Sequence, residues 1–316
     1  MRVVVTGSSG FLGRAIGTAL AARGDTVLGI DLVPARDAPW ETWRADLAQP
    51  GPWQRALGEA DAVVHAAARV GDRGSAAAFW RANVRAVERV VEAAAPAPHL
   101  VHLSSVVVHG PQIPAACPEA HPMRPTGNPY TDTKIAGERL VADAHAAGRV
   151  RATVLRPGDV YGPGSEPWTL RPVRMLRAGT FALVDGGRGV LAPVFVDDLV
   201  AGAVAALDAG PQGKAIHLSG PGVSTATFFE PYARLVGVPL RSVPPALARL
   251  GAPLVGAAFR LAGAAAPLSG RTLEYVTRTA AFSTERAAER LGWHAATSLD
   301  DGMATTASWL RTHGLV

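Results

Sequence analysis

The segment Thr6-Gly7-Ser8-Ser9-Gly10-Phe11-Leu12-Gly13 constrains this chain more than any other, because it stands between a strand-like run at 2–5 and a helical pattern at 11–23. A glycine-rich turn joining a first strand to a first helix is the arrangement that receives a dinucleotide. Gly7 allows the tight turn, Gly10 lets backbone approach a pyrophosphate, and Gly13 lets the helix pack closely on the strand. The helix N-terminus then offers free N–H groups and the positive end of its dipole to the phosphates. Asp31 follows the second strand-like run, 26–30, and lies 18 residues beyond Gly13. A carboxylate there accepts hydrogen bonds from adenosine ribose hydroxyls and repels a 2′-phosphate. The pattern predicts NAD in preference to NADP, with Arg36 the nearby cation that would act the other way.

The same alternation runs through the first half of the chain. Apolar runs at 61–66, 100–105 and 152–155 are separated by helical patterns at 75–95, with Phe79, Val84, Val87, Val90 and Val91 at near-helical spacing, and at 129–147. Strands alternating with helices predict an α/β fold, a Rossmann-type doubly wound parallel sheet with helices on both faces. After Arg156 proline and glycine crowd 157–167 and 185–193, and the elements shorten. Residues 1–160 are therefore expected to form mainly the NAD-binding domain and 161–316 mainly a smaller substrate lobe, with some segments returning to the core. Helical patterns reappear at 285–291 and 299–310, flanking a turn at Gly292-Trp293-His294. The apolar stretch 250–268 is near spanning length but carries Arg260, several glycines and two prolines. It is expected to be a lobe helix and not a membrane span.

Tyr130-Thr131-Asp132-Thr133-Lys134 sets a phenol and an ammonium four residues apart, on one face of a helix. A free phenol has a pKa of about 10, and a close ammonium favours its ionised form. With only four Tyr and two Lys in the chain, chance rarely produces this pair. Ser105 ends the strand-like run Leu103-Ser104-Ser105, so its hydroxyl projects into the crevice where open α/β sheets bind ligands and can polarise a carbonyl. The single cysteine, Cys117, excludes a disulfide framework and a thiolate zinc site. No metal is expected. The N-terminus lacks the apolar core of a signal peptide, which with the lone thiol predicts a reducing, cytoplasmic setting. The net charge of +5 raises nucleic acid as a partner, but the basic residues are nearly all Arg and scattered, which argues against it.

With these residues in hand, the chain resembles an extended short-chain dehydrogenase/reductase, the group that holds nucleotide-sugar epimerases and 3β-hydroxysteroid dehydrogenases. The likeness covers almost the whole length: TGSSGFLG at Thr6, Asp31, Asp46-Leu47, HAAA at His65, Asn83, SSVVVHG at Ser104, YTDTK at Tyr130, LRPGDVYGPG at Leu155 and VFVDDLVAG at Val194. In that family the second serine lies 25 residues before the Tyr, as Ser105 does here. The resemblance implies that Tyr130 exchanges a proton with the substrate oxygen, that Lys134 lowers the phenol pKa and anchors the nicotinamide ribose, and that Ser105 holds the substrate oxygen. It implies that Ser9, Phe11 and Leu12 join the glycines at the pyrophosphate and that Asp46 and Leu47 flank the adenine. His65, Ala66 and Ala67 would line pyrophosphate and ribose, Asn83 would order the nicotinamide end, and Ser104 and Pro157 would border the cofactor. It also implies a homodimer formed through the helices at 75–95 and 129–147. His109 stands where many relatives carry Tyr, which alters a pocket wall.

Three functions fit: an alcohol/ketone oxidoreductase, a nucleotide-sugar epimerase or dehydratase, and a non-catalytic cofactor-sensing regulator. A regulator has no use for the intact Tyr, Lys and Ser. Sugar-nucleotide members resemble R-x-x-N-V-Y-G-P-G after the sixth strand, the Asn helping to hold a diphosphate. Here that position is Asp159, which is expected to repel phosphate. They also carry an Arg seven residues before the second Asp of V-x-D-D, and here that residue is Leu191. The stretch 243–268 resembles the apolar lobe segment of 3β-hydroxysteroid dehydrogenases. The expected small-molecule substrate is a lipophilic, steroid-like alcohol or ketone.

Overall fold

In a computed structural model, which describes residues 1–71, 74–95, 98–251 and 270–316, the apolar runs of the first half become neighbouring parallel strands. They are β1 (Arg2–Thr6), β2 (Thr26–Asp31), β3 (Glu41–Arg44), β4 (Ala62–His65), β5 (His99–Leu103) and β6 (Arg151–Pro157). A later strand, Ala215–Leu218, pairs parallel with β6 and completes a seven-stranded sheet. The order across the sheet is β3, β2, β1, β4, β5, β6, then Ala215–Leu218. Helices cover both faces, so the inner strands read as continuous apolar runs, and Val3, Val4 and Val5 are fully buried. β3 is the exception: its Glu41 and Arg44 are exposed, and such an edge strand carries no apolar run by which to recognise it.

The direction of winding reverses between β1, which pairs with β2 on one side and β4 on the other. The carboxyl ends of these strands open on the crevice that such a reversal creates. Helix α1 (Phe11–Ala22) follows β1 directly and buries Ile16 and Leu20 against the sheet. After the short α2 (Trp53–Gly58), the pattern at 75–95 resolves into α3 (Ala76–Trp80), a π-helical turn (Arg81–Arg85) and α4 (Ala86–Ala93). Helix α5 (Pro129–Ala146) starts sharply, because Asn128 accepts a hydrogen bond from the Tyr130 N–H at 2.8 Å and Pro129 occupies the first turn.

Beyond β6 the chain forms short two-stranded pairs and the helices Arg171–Arg177 and Thr225–Val236. Trp168, Phe181, Phe228 and Phe229 stack there edge to face and face to face. The apolar stretch 250–268 beyond its first two residues, and with it the larger part of 243–268, lies outside the described residues. Among the described residues no helix is long and apolar enough to cross a membrane.

Candidate active site

The glycine turn forms a cradle that side chains would fill. Gly7 has a φ of +69°, and a Cβ on it would lie 2.6 Å from the Ala67 backbone. A Cβ on Gly13 would lie 2.1 Å from the Gly7 carbonyl oxygen. Gly10 caps α1 with no side-chain hydrogen bond, and the first turn contains no acidic residue, so the positive end of the helix faces the crevice uncompensated. Asp31 ends β2, with its Oδ2 accepting from the Ser9 N–H at 3.0 Å and its Oδ1 from the Val33 N–H at 3.1 Å. Backbone amides, an uncapped helix end and a carboxylate at the ribose position fit NAD.

Several expected cofactor residues turn their side chains elsewhere. His65 is buried, with Nδ1 2.7 Å from the Thr6 hydroxyl and its ring stacked on His102, so only its backbone can border the crevice. Ala67 approaches Gly7 through its backbone. Leu47 packs in the core with Trp53 and Leu57. Asp46 accepts from the Ala48 N–H and pairs with Arg81. Asn83 spends its amide on the chain itself: Oδ1 accepts from the Arg69 N–H at 2.7 Å, while Nδ2 donates to the Arg69 carbonyl at 3.0 Å and to the Thr133 hydroxyl at 3.1 Å. It thereby ties the segment after β4 to α5. Ser104 donates to Glu138 at 2.6 Å, away from the crevice, and Pro157 is buried at the end of β6.

Tyr130 and Ser105 do meet. Burial pushes the Tyr130 phenol up to about 12, and its hydrogen bond with the Ser105 hydroxyl pulls the other way. Ser105 also accepts from the Val107 N–H at 3.3 Å, which fixes the start of a short 3-10 turn, Val106–His109. Lys134 is buried and donates to the Leu103 carbonyl at 2.7 Å. Burial lowers its pKa to about 8 against the opposing charge of Glu138. Burial and Ser105 set the direction of the phenol's shift, and the hydrogen bond that Lys134 makes here runs to the strand. The arrangement still gathers a proton donor, a hydroxyl and a cation at the carboxyl edge of the sheet.

Behind the serine strand lies a polar network that the motifs did not reveal. Glu138 and Arg156 form a buried ion pair, with Arg156 Nη2 2.5 Å from Glu138 Oε1. Arg156 also donates to His109 at 3.0 Å and to the Glu119 carbonyl at 2.9 Å. The spacing Tyr130, Lys134, Glu138 on one helix face was the available signal for Glu138. His109 contacts His217 at 3.0 Å and is itself buried, so it belongs to this network. Among the described residues no group of three or more His, Cys, Asp or Glu is placed to hold a metal ion.

Asp159 corrects a sequence expectation. It is 1% exposed, accepts from Arg278 Nη2 at 2.7 Å, from the Tyr275 hydroxyl at 2.5 Å and from the Ala192 N–H at 2.8 Å. Its charge is compensated inside the protein and does not face a ligand as a free anion. Arg278, whose guanidinium stacks 4.3 Å above the Tyr275 ring, could not be assigned to it from sequence, because 119 residues separate the partners.

A model of the NAD dependent epimerase/dehydratase family matches residues 3–219. The 4-hydroxy-2-methyl-3-oxo-4-farnesyl-3,4-dihydroquinoline-1-oxide ketoreductase of Stigmatella aurantiaca is 33% identical over 232 residues, covering 69% of this chain and 68% of its own. The 2-alkyl-3-oxoalkanoate reductase of Stenotrophomonas maltophilia is 30% identical over 269 residues, covering 82% and 78%. The solved structure of MoeE5 in complex with UDP-glucose and NAD superposes with a TM-score of 0.78 at 26% identity, covering 99% of both chains.

Proposed function

The chain belongs to the NAD-dependent epimerase/dehydratase family as an extended short-chain dehydrogenase/reductase enzyme, and from that premise we propose that it interconverts a ketone and a secondary alcohol on a lipophilic, steroid-like substrate. The observation that carries the substrate class is the pair of reductase relatives, whose names specify a farnesyl-bearing quinoline oxide and an alkyl oxoalkanoate. Leu191, fully buried where sugar-nucleotide members carry an Arg, supports the same reading. Asp159 supports it less than its sequence suggests, since Arg278 neutralises it.

NAD, when bound, supplies or accepts the hydride at its nicotinamide ring. In this reading Tyr130 holds and releases the proton at the substrate oxygen, and Ser105 orients that oxygen. Lys134 binds the nicotinamide ribose, while Asn83 keeps the segment after β4 in position through the Arg69 backbone. The glycine turn receives the pyrophosphate and Asp31 the adenosine ribose. Residues beyond 160 mainly supply the substrate side, apart from segments such as Ala215–Leu218 that return to the sheet. The reading keeps the cytoplasmic setting expected from the single cysteine, Cys117. A second copy would sit on the outward faces of the π-helical turn, α4 and α5, where Arg85, Glu92, Arg139, Ala142 and Asp143 are exposed. A monomer by light scattering at micromolar concentration would remove the homodimer from this reading.

A second reading, a nucleotide-sugar epimerase or dehydratase, is favoured by the likeness to MoeE5 with UDP-glucose. A panel of hydrophobic ketones and secondary alcohols followed by NADH absorbance is expected to give turnover, which a cofactor-sensing regulator would not. Calorimetric titration of UDP- and dTDP-sugars with saturating NAD is expected to give no heat. Micromolar affinity for either sugar nucleotide would replace the lipophilic reading with the second one.

A further inference from the structure

Asp31 does not stand alone at the adenosine end. The loop after β2 is stitched to the glycine turn, because Ser9 donates its N–H to Asp31 and its Oγ accepts from the Ala35 N–H at 2.8 Å. Two residues further on, Asp37 is gripped by Arg14 from the first turn of α1, with Nη1 3.0 Å from Oδ1 and Nη2 2.6 Å from Oδ2. The glycine turn, Asp31, the loop, Asp37 and Arg14 therefore close a ring of contacts around the carboxyl end of β2. That ring brings a guanidinium to the end of the crevice where NAD and NADP differ. A planar guanidinium matches a phosphate with two parallel hydrogen bonds, so an unengaged arginine there would recognise a 2′-phosphate.

We propose that Asp37 is a second cofactor-selectivity residue, which holds the Arg14 guanidinium in a two-pronged pair and so withholds it from the 2′-phosphate of NADP. The preference for NAD then has two parts. Asp31 disfavours the phosphate by repulsion, and Asp37 occupies the cation that would reward it. Arg14 and Asp37 are 43% and 75% exposed at their side chains. A pair this open to water is weak and can exchange partners, which makes one substitution sufficient to redirect the arginine. Arg36, also in the loop, is exposed and adjoins Asp37 in sequence.

The test needs no knowledge of the substrate. NADH and NADPH are titrated separately into the full-length protein, the bound nucleotide being followed by its fluorescence, for the wild type and for Asp37→Asn, Arg14→Gln, Asp31→Asn and the pairs of these. Asp37→Asn is expected to tighten NADPH about three- to fivefold, the worth of an exposed ion pair that no longer competes for Arg14, and to leave NADH unchanged, which also reports an intact fold. Arg14→Gln in the Asp37→Asn background is expected to abolish that gain. Asp31→Asn is expected to tighten NADPH by a gain that survives Arg14→Gln, because repulsion by Asp31 does not act through the arginine. Unchanged NADPH affinity in Asp37→Asn overturns the proposal. So does a gain in Asp37→Asn that survives Arg14→Gln, since it would come from the lost negative charge alone.

Discussion

Tyr130 holds its proton more tightly than a free phenol because burial outweighs the hydrogen bond from Ser105. In the reading proposed here that proton is the one exchanged with substrate, so Tyr130→Phe is expected to lower kcat by about 10² to 10⁴. NADH affinity should stay within about twofold in the same variant, since the phenol is not the cofactor's anchor. Lys134→Met is expected to weaken NADH binding as well as turnover. Fluorescence titration beside steady-state rates separates the two, and near-normal kcat in Tyr130→Phe would remove the residue from its role. Asp159 makes a different kind of demand. Removing it as Asp159→Ala leaves Arg278 charged and without its carboxylate in a site 4% exposed, a loss of about 3 to 5 kcal/mol. Pairing it with Arg278→Met should restore most of that stability. Urea unfolding measures both, and a cost below about 1 kcal/mol for Asp159→Ala would show that the pair is not what holds the segment after Gly270–Val276.

Helix α5 carries Tyr130 and Lys134, and its position is set by how closely it packs on the π-helical turn Arg81–Arg85. Gly137 makes that approach possible: a Cβ there would lie 2.7 Å from the Asn83 carbonyl oxygen and 3.4 Å from Val87 Cγ2. The π turn widens the helix at the residue whose amide clamps the Arg69 backbone, and such turns commonly mark functional positions. On an isolated helix Gly137→Ala would add about 1 kcal/mol of stability. Here the contact with backbone cannot yield as a flexible side chain would, so the substitution is expected to cost about 1 to 3 kcal/mol. It should also weaken NADH binding by displacing Asn83. Urea unfolding with a parallel NADH titration tests this, and a stabilised variant with unchanged affinity would show that α5 has room to spare.

Across the whole molecule, five histidines are buried or nearly so and held neutral. Burial lowers His65 to about 3, His99 and His109 to about 4, and His217 to about 2, and holds His102 well below its usual value. Each binds a proton in the unfolded chain at about 6.5 but not in the folded one. Below that value the unfolded state binds more protons, so their stability contribution is present above pH 6.5 and is lost as pH falls toward the folded values. Each such group contributes a slope of about 1.4 kcal/mol per pH unit in that window. Urea unfolding between pH 7 and pH 5 is expected to show stability falling steeply, with several protons taken up on unfolding. An uptake below about one proton would mean that these rings are hydrated or already charged in the fold.

The parts of the site legible in the sequence are those governed by short-range geometry. The strand, glycine turn and helix that form the cradle are contiguous, and Tyr130 and Lys134 share a face because a helix repeats about every 3.6 residues. Asp31 follows from the end of a strand. The alternation of strands and helices likewise implied the parallel sheet and the crevice at its carboxyl edge. Tertiary structure alone decided which way the side chains on those strands point, since a shift of one residue reverses the face. Thus His65 and Ser104 turn into the interior although they border the crevice in sequence. It also decided the state of the charges. Asp159 reads as a free anion until Arg278 and Tyr275 come to it. A charge's effect depends on what surrounds it in space, and those neighbours are assembled only when distant segments pack together.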